Sequence, residues 1–143
     1  DFPAMLGRYR FTVAHELGHW RLHRHLYLRR NEARPLLPSA VSAPDHVFRD
    51  RASDPKEIQA NRFAASLLMP REMVKRVWHE RQGSMDPLFL SDLRIGLSVQ
   101  SDDSVLDGAS KPLAKIFQVS PNAMRIRLEE LKLLQRTKEA TLF

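Results

Sequence analysis

The segment His15-Glu16-Leu17-Gly18-His19 is the tightest constraint in this 143-residue chain. Two histidines four apart lie about 13 Å apart on a strand. On a helix their Cβ atoms come within about 6 Å, one turn above the other. Only the helix lets both imidazoles reach one point. The flanking residues agree with it. Phe11, Ala14, Gly18 and Leu22 recur at three- and four-residue spacing, so a helix from about Arg8 or Thr12 to His25 is expected, with that stripe buried.

Neutral imidazole is a good zinc ligand, and Glu16 sits about 100° around the helix from His15. Glu16 therefore reaches toward a water beside the ion rather than the ion itself. This is the His-Glu-x-x-His arrangement, in which the carboxylate acts as general base. A bland reading of the same residues is two surface histidines and a salt-bridging Glu.

A catalytic zinc needs a third protein ligand and an open position. The chain has no cysteine, so that ligand must be His, Asp or Glu, and a thiolate zinc finger is excluded. Glu57 is the best candidate. It opens Glu57-Ile58-Gln59-Ala60-Asn61 in the first turn of a second helix. Asn61, on the same face, is placed to accept a hydrogen bond from a ligand histidine's other ring nitrogen. Asp54-Pro55-Lys56-Glu57 equally fits a capping arrangement with an acid at the third helical position. Spacing alone leaves both readings open.

The rest of the chain reads as mainly α, with strand signals few. The second helix spans Pro55 to Leu68 behind an Asp54 cap, with Ile58, Phe63, Ala64, Leu67 and Leu68 offered to the core. Pro70 ends it and starts a third, which reaches Gln82 before Gly83. Residues 31–55, broken by four prolines, read as loop. Within them His46–Arg51 could be an edge strand able to hold an extended peptide. Residues 84–108 read as an irregular link. A short helix near Pro112–Gln118 and a longer one from Pro121 to about Gln135 follow. The implied division is a core at 1–83, a link at 84–108 and a C-terminal unit at 109–143.

Arg10-Phe11-Thr12-Val13-Ala14-His15-Glu16-Leu17-Gly18-His19, followed by Leu22-His23, resembles the first motif of the ImmA/IrrE metallopeptidase family. Glu57 through Pro70 (EIQANRFAASLLMP) resembles its second, in the right order. The resemblance implies a zincin-like helical core with a small sheet, truncated here if nothing precedes Asp1. It implies that His15, His19 and Glu57 bind Zn2+ and that Glu16 is the catalytic base. Many relatives carry Glu in place of Gln59, which argues that Glu57 is the ligand. The substrate class implied is protein: a helix-turn-helix repressor or antitoxin-like regulator. Members usually carry sheet-forming sequence before the first motif. Only Asp1–Tyr9 precede it here, so either the gene product is longer or the fold is trimmed.

Glu16 would take a proton from water and deliver it to the leaving amine. Oxyanion stabilisation could fall to His23, His46, His79, Tyr9 or Tyr27, among which the sequence does not choose. His23 and His25 read more simply as helix-end histidines near terminal carbonyls. Residues 113–128 read as helix, tight turn, helix, and the alternative is a DNA-binding regulator, through Arg125 and Arg127, or a protein-interaction regulator, in either case with a structural or vestigial zinc site. Glu129 and Glu130 count against it, and so does the charge. The net +6 is spread along the chain, and residues 84–119 are net acidic. A hairpin that packs on the core or docks a protein is favoured. No apolar run approaches a membrane span. A cytoplasmic enzyme is expected, with its oligomeric state left open.

Overall fold

The computed structural model describes residues 2–32, 54–94 and 100–137, and over these it is mainly helical with one two-stranded sheet. That matches the fold class expected. The expected edge strand at His46–Arg51 lies outside the described residues.

Helix α1 (Phe2–Glu32) runs well beyond the expected Arg8 or Thr12 to His25. Pro3 falls in its first turn, where a missing N–H costs nothing, and no later Pro interrupts it before position 35. Helix α2 (Pro55–Leu68) begins as expected: the Asp54 carboxylate accepts from the Lys56 N–H at 2.9 Å, and Pro55 takes the first position. Helix α3 (Arg71–Gln82) ends on Gly83 at φ 75°, a left-handed residue whose N–H closes on the His79 carbonyl.

The stretch expected to be an irregular link is more ordered than its composition suggests. It holds β1 (Leu88–Phe89), α4 (Leu90–Leu93) and the start of α5 (Asp102–Phe117). Ser101 caps α5, whose first residue, Asp102, is ten residues ahead of the start expected near Pro112. Pro112 has no N–H to give the Gly108 carbonyl. The helix nevertheless continues, because Leu106, Leu113, Ala114 and Phe117 are all buried on one side. Helix α6 (Pro121–Glu130), capped by Ser120, is shorter than expected. A left-handed Lys132 (φ 59°) turns the chain into β2 (Leu134–Gln135), which pairs parallel to β1 with Leu88 opposite Leu134.

The core joins these parts. Met69, Val74, Trp78 and Leu90 pack with Val105, Leu106, Leu113, Met124, Leu128 and Leu134 in one cluster. The α1–α2 contact is built differently: Gly18 meets Ala60, and the buried apolar residues of the two helices are the small Ala14, Ala60 and Ala64. A Cβ on Gly18 would lie 3.1 Å from the Ala60 Cα, so the helices meet nearly backbone to backbone. Such close approach leaves large side chains outside. Leu22, Ile58 and Leu67, expected in the core, are exposed instead.

Three contacts tie α1 and α2 to the C-terminal helices. Gly7 abuts the backbone at Val119–Ser120. The Arg10 guanidinium donates to the Phe117 carbonyl (3.3 Å) and to Gln118 Oε1 (2.7 Å) at the end of α5. Arg127 donates to the Met69 carbonyl at the end of α2 (3.0 Å). No helix among the described residues is long and apolar enough to cross a membrane.

Candidate metal centre

The tight α1–α2 contact places His15 and His19 of one helix opposite the first turn of the other. The Nε2 atoms of His15 and His19 lie 3.0 Å apart. Glu57 straddles them, with one oxygen 3.2 Å from His15 Nε2 and the other 3.2 Å from His19 Nε2. Among the described residues these three form a cluster able to hold a metal ion. Each is partly covered rather than buried.

The donor set fits zinc. Ligands held tetrahedrally at about 2.0–2.1 Å from an ion lie about 3.3 Å from one another, close to the separations found. The proton positions fit as well. His15 Nδ1 lies 2.9 Å from Asn61 Oδ1, an acceptor, so a neutral His15 donates there and turns its Nε2 lone pair toward Glu57. A lone pair crowded against a carboxylate asks for a cation between them.

Each residue expected at the site has a definite place. His15, His19 and Glu57 converge. Asn61 meets His15 from one turn along α2. Glu16 lines the same cleft without joining the cluster. The Glu57 carboxylate faces the imidazoles, and the cap at Asp54 closes on Lys56 instead.

The remaining histidines separate from the chemistry expected of them. His23 is not at a helix end, since α1 continues to Glu32. It is 4% exposed, with Nδ1 3.2 Å from His19 Nδ1 and Nε2 2.9 Å from Gln59 Oε1. Engaged at both nitrogens, it has no proton free for an oxyanion. His25 is exposed and likewise lies within the helix. His79 is on α3, and neither it nor Tyr9 lines the cleft. His46 and the Tyr27 side chain lie outside the described residues.

The cleft has a volume of about 830 Å³ and is lined by His15, Glu16, His19, Glu57, Trp20, Arg24 and Leu28. The Arg24 guanidinium lies 5.1 Å from the Trp20 ring centroid. Trp20 and Arg24 were not singled out from sequence. Their only signal was spacing: they follow His19 by one and five positions, along the face that continues the motif.

A family model described as IrrE N-terminal-like domain, a peptidase family, matches residues 4–129. No curated protein and no solved structure matches the chain significantly.

Proposed function

The chain belongs to the IrrE N-terminal-like peptidase family, and from that premise we propose that it is a zinc-dependent metallo-endopeptidase cutting a protein substrate. The observation that supports this best is the convergence of the His15, His19 and Glu57 donor atoms, with 3.0–3.2 Å between each imidazole nitrogen and its neighbours, on the floor of a cleft that Glu16 also lines.

His15, His19 and Glu57 would hold the ion. A zinc held there would supply Lewis-acid chemistry, polarising a scissile carbonyl and making water acidic enough to attack near neutral pH. Glu16, one position after His15 on the same helix, accepts the water's proton and returns it to the leaving amine. Asn61 fixes the His15 ring through Nδ1. Trp20 and Arg24 extend the cleft along α1 and give a polypeptide a surface to lie on.

The substrate proposed is a transcriptional repressor or antitoxin-like regulator, cut at few sites in the cytoplasm. DNA binding by the C-terminal hairpin is not favoured. On α6, Arg125 is held by Asp107 and Glu129, and Arg127 by Glu130 and the Met69 carbonyl.

The test compares wild type with Glu16→Gln in the source cells, by mass spectrometry of newly formed protein N-termini. Wild type generates new termini in a regulator. Glu16→Gln retains zinc and loses them, with a fall of about 10²–10⁴ in rate expected for a missing general base. Equal cleavage by both proteins would overturn the mechanism. His15→Ala and Glu57→Ala should weaken zinc binding as well.

A further inference from the structure

His23 and Gln59 lie outside the ligand set, yet they form an unbroken chain that ends on a ligand. Gln59 Oε1 stands 2.9 Å from His23 Nε2, and His23 Nδ1 stands 3.2 Å from His19 Nδ1. We propose that the Gln59–His23 pair is a positioning relay that fixes the tautomer of His19, presenting its Nε2 lone pair to the metal.

The argument is one of donors and acceptors. An amide oxygen can only accept, so the proton between Gln59 and His23 sits on His23 Nε2. A neutral imidazole carries one N–H, so His23 Nδ1 is a lone pair. The proton between the two rings therefore belongs to His19 Nδ1. That leaves His19 Nε2 unprotonated, 3.0 Å from His15 Nε2 and 3.2 Å from Glu57 Oε1. Reversing Gln59, with its NH2 toward His23, would invert every step and put a proton on His19 Nε2, where the ion must bind.

Burial gives the relay its force. His23 is 4% exposed, so water is poorly placed to substitute for either partner. The relay also spans the helices. Gln59 is on α2 and both histidines are on α1, so the chain forms only when the helices meet in the register that brings Glu57 to the imidazoles. His15 has the parallel arrangement in a single step, through Asn61. Both ligand histidines of α1 thus take their tautomer from a side-chain amide of α2.

The inference rests on reading His15, His19 and Glu57 as a zinc site, and its test separates the two. Zinc affinity is measured by competition with a chromophoric chelator for wild type, Gln59→Leu and Gln59→Glu. The His19 tautomer is read from ring 15N shifts of the metal-free proteins, with thermal unfolding by circular dichroism as the fold control. Gln59→Leu, folded, should bind zinc about 10- to 100-fold more weakly, and its His19 should lose the purely Nδ1-protonated signature. Gln59→Glu, an acceptor that cannot be reversed, should keep both. If Gln59→Leu unfolds, Gln59→Glu and the wild-type tautomer still decide. Wild-type His19 protonated at Nε2, or zinc affinity of a folded Gln59→Leu within twofold of wild type, overturns the relay. Wild type that binds no zinc but shows His19 protonated at Nδ1 overturns the metal reading and leaves the relay standing.

Discussion

Gly18 shows how a single atom decides the site. A Cβ there would meet the Ala60 Cα at 3.1 Å, the Ala60 carbonyl oxygen at 3.2 Å and the Phe63 ring at 3.2 Å. Two of those atoms are helix backbone and cannot swing aside. Gly18→Ala gains about 1 kcal/mol of helix propensity. Overpacking a close contact costs about 1–3 kcal/mol. Because the neighbours are rigid, the second effect wins. The variant should unfold at lower temperature, and its zinc affinity should fall because α1 is pushed away from Glu57; calorimetry and a zinc titration check the two parts. At this scale the sequence was legible where spacing along one helix sufficed. His15, Glu16 and His19 are local, whereas for Glu57 spacing left a capping role equally open and only the resemblance of the second motif favoured a ligand. Gln59 and His23 were not legible, because their hydrogen bond depends on which faces of two separate helices meet.

Elements were legible in proportion to their end signals. Asp54-Pro55 and Gly83 mark true boundaries because each residue does a specific backbone job there. Lys132 carries no such mark, so the end of α6 could not be read, and β1 and β2 are two residues each, too short for any alternation. Pairings made across elements are invisible in the same way. Arg136 donates to Asp103 (2.6 Å) and Glu129 (2.9 Å), fastening the residue after β2 to α5 and α6. The hydrogen bond from Arg136, with the charge of Arg125, holds the Asp103 carboxyl below its ordinary value of 3.8. A lowered carboxylate value means that the stabilisation is present above the unfolded-state value and is lost as pH falls through the folded one. A carbon NMR titration should therefore place the Asp103 midpoint below 3.8. In Arg136→Gln the midpoint should move up toward it, and the stability difference between the two proteins should vanish on acidification. Arg125 is the more costly loss. Its side chain is 11% exposed and pairs with Asp107, Glu129 and Asp103, so Arg125→Ala takes a shared cation from three carboxylates, of which Glu129 and Asp103 keep Arg136. About 1–3 kcal/mol of destabilisation is expected in urea unfolding.

At the scale of the whole molecule, the small residues that bring His15, His19 and Glu57 together bury little apolar area. Ala14, Gly18, Ala60 and Ala64 can hold two helices close, but they contribute few methyl groups to the core. The opposite side of α1 does not compensate, since Met5, Tyr9, Val13, Leu17 and Trp20 are all exposed. Isolated helices are marginal in water, and helix stability in proteins comes mainly from packing. The stabilising cluster lies elsewhere, where Met69, Val74 and Trp78 meet Leu106, Leu113, Met124, Leu128 and Leu134. Helix α2 therefore ends in that cluster at Met69, whose carbonyl is held by Arg127, and α1 is fastened to it at Gly7 and Arg10. The proposed metal ligands are held in register from the far ends of their helices. A chain cut after Arg94 keeps every proposed ligand and loses most of the cluster to which Trp78 belongs. With Trp20→Phe in place, Trp78 is the single tryptophan and, excited selectively, reports on the cut directly. Its emission should shift from that of a buried indole to that of a solvated one, and the thermal transition should lose cooperativity. Zinc binding should weaken although no ligand has been touched. Unchanged emission and a sharp transition in the shortened chain would show instead that α1, α2 and α3 stand on their own.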